Sequence, residues 1–525
     1  MPKTIELVLL PEEAANELLI KELSARQLGI SPHSISTVQL LKRSIDARSK
    51  QVKFRISVDV YINEPAPDAI FSKEQYKNVS DKQPVIIIGS GPAGLFAALK
   101  LIESGFKPVI IERGKNVRDR RRDLAIINKQ HIINPNSNYC FGEGGAGTYS
   151  DGKLYTRSTK RGDVNRILNI LVAHGASKDI MIDAHPHIGT NKLPALIEDM
   201  RQTIIGAGGE IHFNTILSDF IIQNNVIKGI KVRSVGSDNS EINIETNAII
   251  LATGHSASDV YELLYRNKIL IQQKAFALGI RIEHPQSLID TIQYHCETRS
   301  PYLPAASYSL AEQVDSRGVY SFCMCPGGII APAATAQGEI VVNGWSPSKR
   351  NNPFANSGVV VSVDEKDFMD YKDAGDLMGL RYREAIERKA FISGGSDLKA
   401  PAQRMVDFVN KKLSSNIPIT SYIPGVNSVL LDEVLPEPVI KSLRQALVSF
   451  GKKMKGYYTN EAVLVAVESR TSSPVRIPRD NDTLEHPQIK GLYPCAEGAG
   501  YAGGIISAAI DGERCAEKIA LRIKQ

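Results

Sequence analysis

The stretch Val85-Ile86-Ile87-Ile88-Gly89-Ser90-Gly91-Pro92-Ala93-Gly94 constrains this chain more than any other, because an apolar strand runs directly into a Gly-x-Gly-x-x-Gly turn. The three glycines have separable physical duties. Gly89 permits the tight turn, Gly91 lets the backbone approach a pyrophosphate, and Gly94 lets the following helix pack closely on the strand. An apolar helix from Leu95 to Ile102 follows, then a second strand, Pro108 to Ile111, which ends in Glu112 and Arg113. Glu112 stands about twenty residues beyond the turn, where a carboxylate accepts hydrogen bonds from an adenosine ribose. The pattern predicts a dinucleotide site whose binding residues include Gly89, Gly91, Pro92, Ala93, Gly94, Glu112 and Arg113. A ligand-free βαβ unit would leave three glycines and the carboxylate as coincidence.

A chain of 525 residues, 42% hydrophobic and 23% charged, is too long for one ordinary core and calls for two or three soluble domains. The formal charge of +6 is small for that length and does not by itself point to nucleic acid or an acidic membrane. No apolar run approaches the roughly 20 residues that span a bilayer, and Met1-Pro2-Lys3-Thr4-Ile5 begins no signal-peptide core, so a cytoplasmic protein with no membrane partner is expected. The six cysteines, Cys140, Cys296, Cys323, Cys325, Cys495 and Cys515, form no Cys-x-x-Cys pair. That argues against a zinc site, an iron–sulfur cluster or a disulfide framework, and no metal is expected.

Residues 1 to about 75 read as a small α+β module: a helix over Glu12 to Leu28, then strands at Thr37–Leu41 and Gln51–Val60. Its Lys42, Arg43, Arg48, Lys50, Lys53 and Arg55 could meet RNA, but such runs are more commonly the solvated face of a sheet, and nucleic acid is not the expected partner. A linker, Asn63 to Pro67, separates the module from the dinucleotide unit. Beyond Glu112 a basic stretch, Arg113 to Arg122, leads to Cys140–Lys153, where Gly142, Gly144, Gly145 and Gly147 fall within six residues. Such a run is costly in chain entropy, and Gly144, Gly145, Ala146 and Gly147 read as a second loop closing on the cofactor with exposed N–H groups. Next come a helix ending near Gly206, a strand over Glu210–Phe213, two strands turning at Asn224-Asn225, and a strand, Ala248–Leu251, that ends in Ala252-Thr253-Gly254.

A leading βαβ fingerprint, a long insertion, a meander and a strand ending in Ala-Thr-Gly together resemble the FAD domain of glutathione-reductase-like flavoproteins. The closing segment, Gly491-Leu492-Tyr493-Pro494-Cys495-Ala496-Glu497-Gly498, resembles the superfamily's last strand, which contacts the ribityl chain, with Glu497 in place of the usual aspartate. Tyr501 to Ile505 opens a final helix whose positive N-terminus would sit near the flavin N1 and O2. The resemblance implies non-covalent FAD and adds Thr253, Gly254, Glu497, Gly503, Gly504 and Ile505 to the cofactor site. Residues 35 to 525 are similar to a narrower bacterial family, the uncharacterised FAD-dependent dehydrogenases or FAD-dependent proteins. The similarity is carried by Ser44–Arg48, Gly142–Lys153, His187–Thr190, Arg281–Pro285, Phe322–Gly328 and Arg470–Arg476. One departure is 329–337, where the family has an Asn-Ala-Ser-rich turn and this chain has Pro332-Ala333-Ala334-Thr335.

The fold class that follows is α/β: a Rossmann-like FAD-binding domain (80–264 and 485–525), an inserted α+β cap domain (265–484) and the small N-terminal α+β module (1–75). In the cap, strands are expected around Ala277–Ile282, Val319–Met324, Glu339–Val342 and Val359–Ser362, and helices around Lys366–Phe391, Ala402–Leu413 and Pro438–Met454. Arg281, His284, Arg470 and Arg476 are the catalytic candidates. Arginine suits a carboxylate or phosphate and histidine moves a proton near neutral pH, which predicts an anionic organic substrate. Each has a structural alternative as a strand-end residue. Cys323-x-Cys325 could relay electrons beside a flavin, though buried small hydrophobes are the commoner role. The expected activity is an FAD-dependent oxidoreductase moving a hydride or electron pair through flavin N5. No second Gly-x-Gly-x-x-Gly unit is present, so NAD(P)H is expected only as a transiently docked electron donor. A flavin-dependent RNA-modifying enzyme and a non-catalytic FAD-binding protein are the alternatives.

Overall fold

The computed structural model describes residues 2–67, 73–156, 161–236 and 240–524. Its organising layer is a five-stranded sheet in the order Leu492–Pro494, Ile249–Leu251, Pro84–Ile88, Lys107–Ile111, Glu210–His212. Every pair in it is parallel. The central strands bury Val85 to Ile88 and Pro108 to Ile111 on both faces, which is why they read as unbroken β-branched runs and not as alternating ones. One face is covered by the helix Pro92–Glu103 and the final helix Ile505–Lys524. These two helices touch at Gly512, where an added Cβ would lie 2.1 Å from the Ala93 carbonyl oxygen. The other face is covered by a three-stranded meander, Thr215–Gln223, Val226–Ser234 and Glu241–Glu245.

Between Ile249–Leu251 and Leu492–Pro494 the chain builds a second sheet of seven strands. Their order is Ala311–Val314, Arg317–Cys325, Phe354–Val363, Phe276–Pro285, Val463–Glu468, Ala400–Arg404, Val426–Ser428. Helices Met378–Ser393 and Glu437–Lys453 accompany it. The sequence expectations need four corrections in this part of the chain. Ala402–Leu413 is not one helix: Ala400–Arg404 is a strand held by its ladder to Val463–Glu468, and only Met405–Val409 is helical. Lys366–Phe391 is broken, because Gly375 takes φ 56° between a 3-10 segment and the helix from Met378. The Glu339–Val342 strand lies further on, at Val342–Trp345, where it pairs with Ile329–Pro332. Val463–Glu468, buried at every position, was not anticipated.

The first residues form a three-stranded antiparallel sheet, with Lys53–Ile62 between Lys3–Leu9 and Ile35–Asp46, packed on the helix Glu17–Leu28. The strand Lys3–Leu9 was not read from the sequence, and the expected helix begins at Glu17 after a short turn at Pro11–Ala14. Its basic residues are partly compensated. Arg43 is paired with Asp183 at 2.7 Å and its backbone bonds Ile182 and Ala184, while Arg48 and Arg55 both reach Asp46. The Arg43 contacts fasten the module to the rest of the chain, and all three pairs shrink the positive face an RNA would need. Among the described residues no helix is long and apolar enough to cross a membrane.

Candidate functional site

Register fixes the site. Ile88 pairs with Ile111 on one side and Leu251 on the other, and Leu251 pairs with Pro494, so four parallel strands end at one level. The loops that follow them leave the sheet together, at the edge where open α/β sheets bind ligands. A cavity of about 310 Å³ opens there. Gly89, Gly91, Pro92, Ala93, Glu112 and Arg113 line it. From three other stretches come Gly145, Ala146 and Gly147, then Thr253 and Gly254, then Glu497, Gly504 and Ile505. Three of the proposed cofactor residues lie outside that lining: Gly94, Gly144 and Gly503.

Two glycines show what the turn is built for. A Cβ on Gly94 would sit 2.0 Å from the Gly89 carbonyl oxygen, so its absence serves the packing of helix on turn. A Cβ on Gly91 would meet nothing nearer than the Gly145 Cα at 4.0 Å, so the space kept free there is cavity and not protein. The helix Pro92–Glu103 starts at that space, with Pro92 and Ala93 in the lining, and a helix N-terminus suits a pyrophosphate.

Glu112 is buried, and both of its oxygens are fully used. Oε2 accepts from the Ser90 amide at 2.9 Å and its hydroxyl at 2.7 Å, and Oε1 accepts from the amides of Gly114 at 2.8 Å and Gly142 at 3.1 Å. The carboxylate therefore ties the glycine turn, its own loop and the second glycine-rich loop together. The second loop is also held by Arg120, a residue the sequence reading passed over as part of a basic run. Its wholly buried guanidinium donates to the carbonyls of Asn138, Tyr139 and Glu143. Arg113 stacks over Phe141 at 4.6 Å and pairs with Asp259.

At the C-terminal side, Asp511 receives the Arg479 guanidinium at 2.7 and 2.8 Å and the Ala496 amide at 2.8 Å, which fixes the loop carrying Glu497. Cys495 and Cys515 lie close to Asp511, but Arg479 already supplies the cation there. Glu497 faces His255 Nδ1 at 3.3 Å, and His255 Nε2 donates to the Arg470 carbonyl at 3.0 Å.

The wall opposite the glycine turn comes from the seven-stranded sheet and its loops, through Phe322, Cys323, Asn343, Arg470 and Thr471. Of the four catalytic candidates only Arg470 belongs to it, and its guanidinium is taken by Glu387 at 2.8 Å and Glu339 at 3.0 Å. Arg281 is wholly buried behind Cys323, ion-paired with Glu468 at 2.9 Å. His284 is enclosed against Tyr457, its Nε2 on that residue's carbonyl, and burial pushes the imidazole down to about 4. Arg476 stacks outward on Tyr501. The structure does not bring these four together at the cavity, and none offers it a free guanidinium or imidazole. His255, Lys153 and Asn343 do line it and were given no role from the sequence. Lys153 closes the glycine-rich loop, a position that could have flagged it.

Comparison with known proteins matches residues 82–132 to an FAD binding domain and residues 275–471 to the C-terminal domain-like part of FAD-dependent proteins. Residues 1–61 match a domain of unknown function. An uncharacterised protein of Clostridium beijerinckii is 40% identical over 513 residues, which is 94% of each chain. A thiamine thiazole synthase of Methanococcus maripaludis is 24% identical over 191 residues, 35% of this chain and 61% of that one. Among solved structures, the flavin-dependent brominase Bmp2 aligns with 84% of this chain and 79% of its own at 12% identity and a TM-score of 0.36, a likeness too distant to carry a substrate across. FAD is the cofactor these matches support, and the open cradle at Gly91 is consistent with it. The chain belongs to the family of FAD-dependent proteins that it shares with the Clostridium beijerinckii protein.

Proposed function

We propose that this protein is an FAD-dependent oxidoreductase, with 80–264 and 485–525 holding the cofactor in a glutathione-reductase-like arrangement and 265–484 closing over its reacting face. The observation that carries the proposal is a single cavity bounded on one side by four strand ends and on the other by the second sheet. FAD, when bound, supplies the two-electron chemistry. The chain's own part is to bind and to hold protons. Gly91 and the helix N-terminus at Pro92 and Ala93 take the pyrophosphate, Gly145 to Gly147 close over it, and Glu497 accepts from a hydroxyl. His255, held between Glu497 and the Arg470 carbonyl, is the imidazole positioned to carry a proton at the cavity wall, in place of His284. Arg281 and Arg470 are neutralised by buried carboxylates, so neither of them supports an anionic substrate.

The purified protein should be yellow, and denaturation should release FAD into the supernatant. FMN, NAD or no cofactor there would sink the assignment. Bound flavin that no organic or inorganic reductant bleaches would leave a binding protein and not an enzyme.

A further inference from the structure

The cavity wall opposite the glycine turn carries chemistry that cofactor binding does not need. Cys323 lines the cavity, and Cys325 is wholly buried beside it. On a regular strand two such residues would stand on one side, near the limit for bridging. This strand is not regular. Cys323 has φ 46°, the ladder to Phe354–Val363 skips from Phe322 to Cys325, and the Cys325 sulfur folds back to 3.2 Å from the Cys323 carbonyl oxygen. A non-glycine residue with positive φ is uncommon, and here it turns one thiol toward the cavity with the other against it.

The charges around the pair come from four separate elements. Lys153, from the glycine-rich loop, puts Nζ 3.6 Å from the Cys323 sulfur and 3.5 Å from the Cys325 sulfur. Arg281, on Phe276–Pro285, reaches the Cys325 sulfur at 3.5 Å and the Cys323 carbonyl at 2.7 Å. Asp151 lies 3.6 Å from Lys153 and is paired with Arg350 at 2.9 Å, and Glu468, on Val463–Glu468, is paired with Arg281. Lys153, Arg281 and Arg350 thus face Asp151 and Glu468, so one thiolate would bring the cluster to neutrality. The hydrogen bond from Cys325, then the charges of Lys153 and Arg281, hold the Cys323 thiol well below its ordinary range against the effect of burial. Burial pushes the Cys325 thiol well up. One nucleophilic thiolate beside one protonated partner is the arrangement of a working dithiol.

We propose that Cys323 and Cys325 form a dithiol/disulfide couple that exchanges an electron pair with the FAD of the cavity, Cys323 being the thiolate that faces the cofactor and Cys325 the thiol that resolves it. In the oxidising direction the S–H bond of Cys325 breaks and one S–S bond forms. The thiolate and thiol together would give up two electrons and one proton, which is what oxidised FAD, when bound, is able to accept. Lys153 is a positioning residue that stabilises the thiolate. The proposal rests on FAD occupying this cavity.

Anaerobic dithionite titration of the air-oxidised holoprotein tests it, with flavin absorbance and free thiols followed together. Wild type should consume about two equivalents per flavin, and C323S and C325S about one each. Iodoacetamide and mass spectrometry should label neither cysteine before reduction and both after it. In reduced, flavin-stripped protein at pH 6.5, alkylation of Cys323 should be at least about tenfold slower in K153Q than in wild type. One equivalent in wild type, with both cysteines alkylated in the air-oxidised protein, overturns the couple. A colourless preparation that never retains flavin overturns the cofactor half of the proposal and is distinguished from the first failure by that absence.

Discussion

The contrast between Gly91 and Gly94 gives the sharpest test of how the turn works, because one glycine faces open cavity and the other is packed against the turn itself. In Gly94→Ala the new methyl would lie 2.0 Å from the Gly89 oxygen and 3.3 Å from the Ile87 side chain, so the turn must move by more than 1 Å to admit it. Overpacking of that kind costs about 1–3 kcal/mol, which is about 2–12 °C in apparent Tm for a domain of this size. In Gly91→Ala the methyl has 4.0 Å of clearance from protein, and the backbone at φ −69° accepts any L-residue. The flavin-free protein should therefore unfold within about 0.5 kcal/mol of wild type. The same methyl occupies the space where the pyrophosphate must approach. If it costs the complex the same 1–3 kcal/mol, the Kd for FAD rises about 5-fold to about 150-fold. Apoprotein made by mild acid or salt stripping gives Tm by calorimetry and Kd by quenching of flavin fluorescence on reconstitution. Normal FAD affinity in Gly91→Ala, or a fall in its apoprotein Tm matching that of Gly94→Ala, would refute the division of labour.

Three further outcomes follow from buried polar groups. Glu112→Gln turns one acceptor oxygen into a donor facing backbone N–H groups of Ser90, Gly114 or Gly142, and should lower stability by about 1–3 kcal/mol in urea unfolding, with or without FAD; an unchanged midpoint would remove Glu112 as the tie between the loops. Asp511→Asn leaves the Arg479 guanidinium buried without its carboxylate and frees the Ala496 amide, so a loss of about 3–5 kcal/mol is expected together with weaker flavin retention; normal retention in a destabilised variant would separate the loop from the ion pair. Burial holds Glu143 and Glu283 up at about 7 in the folded protein. The folded state therefore binds more protons than the unfolded chain between their ordinary range and neutrality, and the stability this contributes is present at pH 4.5 and lost as pH rises through 7. Urea midpoints should fall between pH 5.5 and 8, by up to about 1.4 kcal/mol per pH unit for each carboxyl, and Glu283→Gln should flatten the slope. Midpoints that rise over that range would contradict it.

How legible the fold was in the sequence depended on how local its causes are. The strand, turn, helix and strand from Val85 to Glu112 are specified within thirty residues by β-branched runs and glycine spacing, and they stand where the pattern put them. The hairpin at Asn224-Asn225 was equally clear, since both asparagines take positive φ, as a two-residue turn between twisted strands demands. Ala400–Arg404 failed for the opposite reason. Ala-Pro-Ala-Gln-Arg carries no β signal of its own, and what makes it a strand is the ladder to Val463–Glu468 some sixty residues on. Nothing in the local sequence announces such a partner.

The site divides along the same line. Residues that present backbone to the cavity, such as Gly91 and Gly145, are visible because the backbone geometry itself restricts the residue type. Residues that act through charge are not, because a charged side chain near a motif reads the same whether it opens into a cavity or is sealed behind it. Arg281 looked like a substrate clamp until its partner, Glu468, was found 187 residues along the chain, and Lys153 looked like the end of a loop until Cys323 was found 170 residues away. Glu468 is what lets the Arg281 guanidinium stay buried, and the Cys325 thiol, then the charges of Lys153 and Arg281, are what hold the Cys323 thiol low, so in both cases the chemistry belongs to the partners together. Burial then decides which pair faces the cavity. Arg281 and Glu468 satisfy each other inside the sheet, leaving the sulfur of Cys323 and the ammonium of Lys153 as the reactive polar groups on the wall across from the glycine turn.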